Sequence, residues 1–233
     1  MATFVLVHGS FHGGWCWQKV APLLRGSGHA VFTPTLTGLG ERSHLATRQS
    51  GLELHIQDIL IVLEFEDLRE VVLVGHSYAS LVITGVAGRM PRRVKRLVYL
   101  DAFIPHDGES AFDLMPGTEE QWTQMAAVQG EGWLVPAMSP EMMGITDRAD
   151  AAWAQSRLRP MPLFTHQQPY HKSSSAALKI PRTFILCTQF GFHETARAAQ
   201  KLGWDYFQLE TGHDAMLTMP NELAETLEKA IAK

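Results

Sequence analysis

The chain has 233 residues, of which 45% are hydrophobic and 19% charged, with a formal net charge of -4. This length and apolar content predict one globular domain with a sizeable core. The mildly acidic balance, with no basic run, argues against nucleic acid or an anionic membrane as a partner. No apolar stretch approaches the roughly 20 residues that a membrane-spanning helix needs.

The two cysteines and the first residues of the chain favour a cytoplasmic location. Cys16 and Cys187 form neither a disulfide framework nor a zinc-binding pattern. The first residues lead directly into an apolar run without the basic segment of a secretory signal. We therefore expect a cytoplasmic protein; the sequence leaves its oligomeric state open, a homodimer included.

Short apolar runs alternate with segments of helical spacing along the chain. The runs predicted to be strands are residues 4–7, 30–33, 71–74, 96–100, 183–187 and 206–209. Helical spacing covers residues 15–25, 52–66 and 220–232. Short buried strands separated by helices predict an α/β protein with a doubly wound, mostly parallel sheet.

Residues 105–180 interrupt this alternation. The segment is rich in Pro, Met, Trp, Gln and Gly, and an insertion of this length predicts a functional lid. We expect a helical lid after the fourth strand, with residues 1–104 and 181–233 forming the core. Its large apolar side chains either line a pocket for a bulky apolar substrate or pack the lid onto the core. They are Trp122, Met125, Trp133, Leu134, Met138, Met142, Met143 and Trp153.

The most informative stretch is residues 71–80, VVLVGHSYAS, where a buried strand leads into a helix through Gly75-His76-Ser77-Tyr78-Ala79. A serine at the apex of such a turn is typical of a nucleophile elbow, Gly-x-Ser-x-Gly, in which small residues leave the hydroxyl exposed. Ala79 replaces the second glycine, which weakens the motif. The alternative is a serine that caps an ordinary helix.

A serine nucleophile needs a general base, and His213 is the best candidate. It follows the last predicted strand, and Ser77 before His213 is the chain order of α/β-hydrolases. The acid that orients the base is ambiguous, because the loop after the fifth strand contains no acid before Glu194. Asp101, at the end of the fourth strand, is the preferred alternative.

Two backbone N–H groups must stabilise the oxyanion that forms at the carbonyl. Tyr78, directly after the nucleophile, is expected to supply one, and Ser10, after the first strand, the other. We interpret His76 as structural. Neither a metal nor a cofactor is expected, because no His-Glu-x-x-His motif occurs and the glycines at 38 and 40 lack the third glycine of a dinucleotide-binding loop.

Three stretches carry a family resemblance: FVLVHGSFHGGWCW (4–17), YLDAFIP (99–105) and TGHDAM (211–216). They resemble bacterial esterases of the α/β-hydrolase superfamily that are related to the plant methylesterase, salicylate-binding and hydroxynitrile lyase group. The carbendazim-hydrolysing esterase belongs to this bacterial branch. The resemblance implies an α/β-hydrolase with Ser77 as nucleophile, His213 as base, and Ser10 and Tyr78 as oxyanion donors.

Three functional classes remain open. The first is a serine esterase that cleaves small, largely apolar or aromatic carboxylic esters through an acyl-enzyme, with carbamates and amides as further candidate substrates. The second is a hydroxynitrile lyase, which Asp214 disfavours because those enzymes carry a lysine directly after the histidine. The third is a ligand-binding module that has lost catalysis.

Overall fold

The computed structural model describes residues 1–171 and 174–232. The strands are β1 (Thr3–Val7), β2 (Ala30–Phe32), β3 (Val71–His76), β4 (Val94–Leu100), β5 (Leu134–Val135), β6 (Met161–Pro162), β7 (Arg182–Cys187) and β8 (Asp205–Leu209). The α-helices are α1 (Val20–Gly26), α2 (Leu52–Phe65), α3 (Ala79–Arg89), α4 (Thr118–Gln129), α5 (Arg148–Gln155), α6 (Phe164–Gln167), α7 (His193–Lys201), α8 (Ala215–Thr218) and α9 (Pro220–Ile231).

Six strands form one sheet in the order β2-β1-β3-β4-β7-β8, and every pairing in it is parallel. This confirms the predicted parallel sheet. Because β3 lies between β1 and β4, the carboxyl ends of these three strands meet at one edge. Ligand sites of open α/β sheets form at this edge.

The alternation of side chains along the strands divides the core into two layers. Val5 and Val7 of β1 pack in one buried cluster, which includes α2 and α3. Phe4 and Leu6 pack in the other, which includes α1 and α9. Each strand is thus apolar on both faces, as expected for a parallel sheet covered by helices.

The predicted lid, residues 105–180, lies between β4 and β7 and contains α4, α5 and α6. It also contains an antiparallel pair that the sequence did not predict, in which β5 pairs with β6. Strands of two residues are too short to show the alternation that identifies a strand. In the described part of the chain, no helix is both long and apolar enough to cross a membrane.

Candidate active site

Ser77 occupies a strained turn at the end of β3. Its φ of 53° lies in the left-handed region that non-glycine residues rarely adopt. Gly75 is required at the start of the turn, because a Cβ there would lie 2.8 Å from the carbonyl oxygen of Ala79. Ala79 itself begins α3 and is fully buried. The turn therefore accommodates alanine at the second small position.

His213 and Asp101 are brought together by the sheet. His213 Nδ1 donates a hydrogen bond of 2.6 Å to Asp101 Oδ2, and the Asp101 side chain is completely buried. The backbone N–H of Cys187 donates to Asp101 Oδ1 at 3.1 Å. Both carboxylate oxygens are thus engaged, and Nε2 of His213 is the ring nitrogen left to exchange protons.

Glu194, the other candidate acid, does not contact His213. It lies in the first turn of α7, where its side chain is 84% exposed and pairs with Arg197. Burial and geometry therefore distinguish the two carboxylates: Asp101 is buried and hydrogen-bonded to His213, and Glu194 faces solvent.

The loop after β1 lies against the serine turn. A Cβ on Gly9 would lie 3.0 Å from Cβ of Ser77, so only glycine allows this approach. Ser10 and Ser77 line the same cavity. In the described part of the chain, no hydrogen-bond acceptor binds the backbone N–H of Ser10 or Tyr78. Both groups have the environment expected of oxyanion donors.

A buried ion pair beside the site is not predicted from the sequence. His12 Nε2 lies 2.9 Å from Asp214 Oδ2, and His12 Nδ1 lies 2.6 Å from the carbonyl oxygen of Ser10. Because both partners accept hydrogen bonds, both ring nitrogens must carry protons and His12 is an imidazolium. His12 is two residues after Ser10 and Asp214 directly follows His213, but the contact joins residues 202 positions apart, so no local pattern in the sequence indicates it.

The pKa values of this pair agree with that assignment. Burial disfavours both charges, but each charge stabilises the other. The pKa of His12 is raised because the carboxylate of Asp214 and the carbonyl of Ser10 outweigh burial. Burial raises the pKa of Asp214, but the charge and the hydrogen bond of His12, with smaller contributions from His76 and His213, lower it to about 2. The ion pair therefore joins the loop after β1 to the loop that carries His213.

His76 packs against the loop that carries His213. Its Nε2 donates to the carbonyl oxygen of His213 at 3.1 Å, and the two rings are 4.3 Å apart. Burial, followed by the charge of His213, holds the pKa of His76 well below its usual value. His76 is therefore neutral beside the base.

An apolar cavity of about 90 Å³ opens on Ser77 and His213. The lid contributes Met115, Met138 and Met143, while Phe190 stacks on the His213 ring at 4.2 Å. Met138 and Met143 are among the lid residues that the sequence indicates for a pocket, whereas Met115, Phe190 and the other aromatic residues of the lining are not. The complete lining is Ser10, Phe11, His12, His76, Ser77, Phe103, Met115, Met138, Met143, Phe190, Phe192 and His213.

Other large apolar residues of the lid do not line the cavity: two tryptophans pack the lid onto the core, and Met142 faces solvent. Trp122 lies against Phe11 with ring centroids 5.5 Å apart, and Trp153 lies against Trp15 at 5.1 Å. Met142 is 63% exposed. Within residues 1–171 and 174–232, no group of three or more His, Cys, Asp or Glu side chains is placed to hold a metal ion.

Comparisons with known proteins agree with this architecture. Residues 4–226 match the model of an alpha/beta hydrolase family. The carbendazim hydrolyzing esterase of Nocardioides sp. (strain SG-4G) is 40% identical over 97% of this chain and 98% of its own length. Methylesterase 10 of Arabidopsis thaliana is 27% identical over 99% of this chain and 92% of its own length.

A solved structure shows the same fold. An extracellular alpha/beta-hydrolase from a Paenibacillus species superposes with a TM-score of 0.87 at 27% identity, covering 99% of both chains. That hydrolase shares structural and functional homology with tobacco Salicylic Acid Binding Protein 2. Fold and relatives define a carboxylic ester hydrolase. The chain belongs to the alpha/beta hydrolase family, as its motifs predicted.

Proposed function

We propose that this protein is a serine esterase that cleaves small, largely apolar or aromatic carboxylic esters through an acyl-enzyme. Ser77 is the nucleophile, His213 the general base and Asp101 the acid that orients it. The backbone N–H groups of Ser10 and Tyr78 stabilise the oxyanion. The observation that carries the proposal is the buried 2.6 Å hydrogen bond from His213 to Asp101, at the cavity that Ser77 also lines.

The reaction follows from this arrangement. His213 Nε2 takes the hydroxyl proton of Ser77 as the oxygen attacks the ester carbonyl. The tetrahedral intermediate collapses, and the imidazolium of His213 protonates the departing alcohol. Water, deprotonated by the same nitrogen, then attacks the acyl-enzyme, and its collapse returns the proton to Ser77 and releases the acid. Asp101 fixes the ring orientation and stabilises the imidazolium in both halves.

The cavity lining supports neutral substrates. Phenylalanine and methionine dominate it, and no lysine or arginine is among its described residues. An acyl group with a charged carboxylate would lose its hydration there without gaining a free counter-ion, because the imidazolium of His12 is already paired with Asp214. We therefore infer neutral, partly aromatic esters with a small leaving alcohol, and the same acyl-enzyme chemistry extends to carbamates or amides.

Two alternatives are less well supported. A hydroxynitrile lyase would need a cation near the departing cyanide, but Asp214 occupies the position after the base and its carboxylate is bound to His12. A binding module without catalysis would have no need to hold Asp101 and His213 in hydrogen-bond contact. Both alternatives predict no ester hydrolysis.

The compartment and partners are part of the proposal. We propose a cytoplasmic enzyme, supported by two buried, unpaired cysteines, Cys16 and Cys187. Its acidic balance supports a small ester as its partner, without nucleic acid or a membrane. A homodimer is compatible with this function, and light scattering of the purified protein distinguishes it from a monomer.

The test is hydrolysis of p-nitrophenyl acetate and butyrate by the wild type, Ser77→Ala and Ser80→Ala. We expect Ser77→Ala to lower kcat by about 10³-fold or more. Ser80 is the matched control, because it is a buried serine of the same turn whose hydroxyl has no described partner. Full activity of Ser77→Ala would refute the proposal, and charged esters outperforming neutral ones would refute the substrate class.

A further inference from the structure

His166 is a buried histidine of the lid that contacts both residues proposed as oxyanion donors. It lies in α6 and is only 1% exposed. Its Nε2 is 3.2 Å from Oγ of Ser10, and its ring stacks on Tyr78 with centroids 4.9 Å apart and planes at 21°. Through this one side chain, the lid therefore contacts both Ser10 and Tyr78.

The protons in this contact can be assigned from the neighbouring partners. The hydroxyl of Thr165 donates its single proton to the carbonyl oxygen of Pro162 at 2.6 Å. Thr165 Oγ1 must therefore accept from Nδ1–H of His166, from which it is 2.9 Å away. Nε2 of the neutral ring is then an acceptor, and the hydroxyl of Ser10 donates to it.

The ring of His166 remains neutral and fixed in place. Burial, with a smaller contribution from His55, lowers the pKa of His166 to about 3. Trp122 and Phe112 pack on the ring at centroid distances of 4.8 and 5.5 Å. The hydrogen-bond assignment therefore holds at every pH at which an esterase would be assayed.

We propose that His166 is a positioning residue for the oxyanion hole, acting through the hydroxyl of Ser10 and the ring of Tyr78. The inference rests on the esterase function proposed above. By engaging the Ser10 side chain, His166 fixes the loop that presents the Ser10 backbone N–H. Because the Ser10 hydroxyl donates its hydrogen bond to His166, the backbone N–H of Ser10, and not its hydroxyl, donates to the oxyanion.

The test is a double-mutant cycle between the two partners. His166→Phe keeps an aromatic ring for Tyr78 but removes the acceptor, and Ser10→Ala removes the donor. We expect each variant to lower kcat about tenfold with KM within about twofold, because the oxyanion interaction is made in the transition state. Since both remove the same contact, the double variant should be no slower than either single one.

A ligand that mimics the oxyanion adds an independent readout. In the hydrated or serine-bound form of an aryl trifluoromethyl ketone, the former carbonyl carbon is tetrahedral and its oxygen lies in the oxyanion hole. The carbonyl carbon of the matching methyl ketone remains trigonal. His166→Phe should weaken binding of the trifluoromethyl ketone about tenfold and leave binding of the methyl ketone unchanged. His166→Gln, whose amide oxygen can accept from Ser10, should recover kcat to within about threefold of wild type.

A merely structural role would give a different pattern. The control is Asp147→Ala, which removes the N-cap of α5 in the lid and should lower Tm without changing kcat. Unchanged kcat and inhibitor affinity in folded His166→Phe would overturn the inference, as would multiplicative losses in the double variant. If His166→Phe fails to fold, Thr165→Val tests the same contact and should lower kcat about threefold, but not in the Ser10→Ala background.

Ser77→Ala separates failure of this inference from failure of the proposed function. Loss of activity in Ser77→Ala with full activity in His166→Phe refutes the role of His166 alone. Full activity in Ser77→Ala refutes the esterase mechanism and the inference with it.

Discussion

Asp101 Oδ2 lies 2.6 Å from His213 Nδ1 although the two residues are 112 positions apart in the chain. Asp101 directly follows β4, and Ser77 directly follows the neighbouring strand β3. Its φ of 43° turns the chain out of the sheet, and its N–H donates to the carbonyl oxygen of Ile185. The acid therefore reaches the base from the strand between β3 and β7.

We expect Asp101→Asn to lower kcat by about 10³–10⁴-fold on p-nitrophenyl esters, because the amide cannot stabilise the imidazolium and favours the wrong tautomer of His213. Asparagine also tolerates the left-handed backbone of residue 101, so the fold should persist. Steady-state kinetics on the folded variant measures the effect.

Glu194→Gln is the matched control for Asp101→Asn, since it makes the same chemical change on the exposed carboxylate. It should retain kcat within about twofold. Loss of activity in Glu194→Gln with retention in Asp101→Asn would exchange the two assignments.

Gly9→Ala should lower kcat without abolishing folding. The new Cβ would lie 2.9 Å from His76 Nδ1 and 3.0 Å from Cβ of Ser77, so the nucleophile or the loop must shift. Because a misplacement of about 1 Å costs about 10²-fold in rate, we expect kcat to fall by about tenfold to 10²-fold. Gly26→Ala is the control, because its Cβ would meet nothing within 4 Å and should leave kcat unchanged. Equal kcat in the two variants would contradict the close approach of the loop.

Phe190 should affect both the base and the acyl preference. Its ring stacks on His213 at 4.2 Å and stabilises the imidazolium that forms during turnover. Phe190→Ala should therefore lower kcat about threefold to tenfold, and the space it opens should raise the kcat/KM ratio of p-nitrophenyl octanoate to acetate. Phe65→Ala, at an exposed phenylalanine of α2, should change neither. An unchanged ratio in Phe190→Ala would show that Phe190 does not limit the cavity.

The features that could be predicted from the sequence are those encoded by neighbouring residues in the chain. The parallel sheet follows from short apolar runs, and the serine turn from small residues around Ser77. The choice between Asp101 and Glu194 depends on strand order, which a pattern along one chain does not encode. The contacts of His12 with Asp214 and of His166 with Ser10 join distant segments, so no local periodicity indicates them. Short strands such as β5 carry too few residues to show an alternation.

Asp214→Asn should destabilise the fold more than any surface change of the same kind. The variant leaves His12 buried without its counter-ion, and breaking a buried ion pair costs about 3–5 kcal/mol. Glu194→Gln again serves as the control, because an exposed pair contributes about 0–1 kcal/mol. Chemical denaturation of both variants measures the two costs, and equal losses would refute a buried ion pair.

The pH dependence of this loss identifies the charges. The pKa of Asp214 is lowered to about 2, so its contribution is present above its usual value of 3.8 and is lost as the pH falls through about 2. The pKa of His12 is raised above 6.5, so its contribution is full below 6.5 and is lost as the pH rises through the raised value. The stability difference between wild type and Asp214→Asn should therefore be largest near pH 5–6 and smaller at pH 9. Subtracting the two proteins cancels the titration of groups that do not interact with Asp214, and a difference that grows towards pH 9 would show that His12 is uncharged.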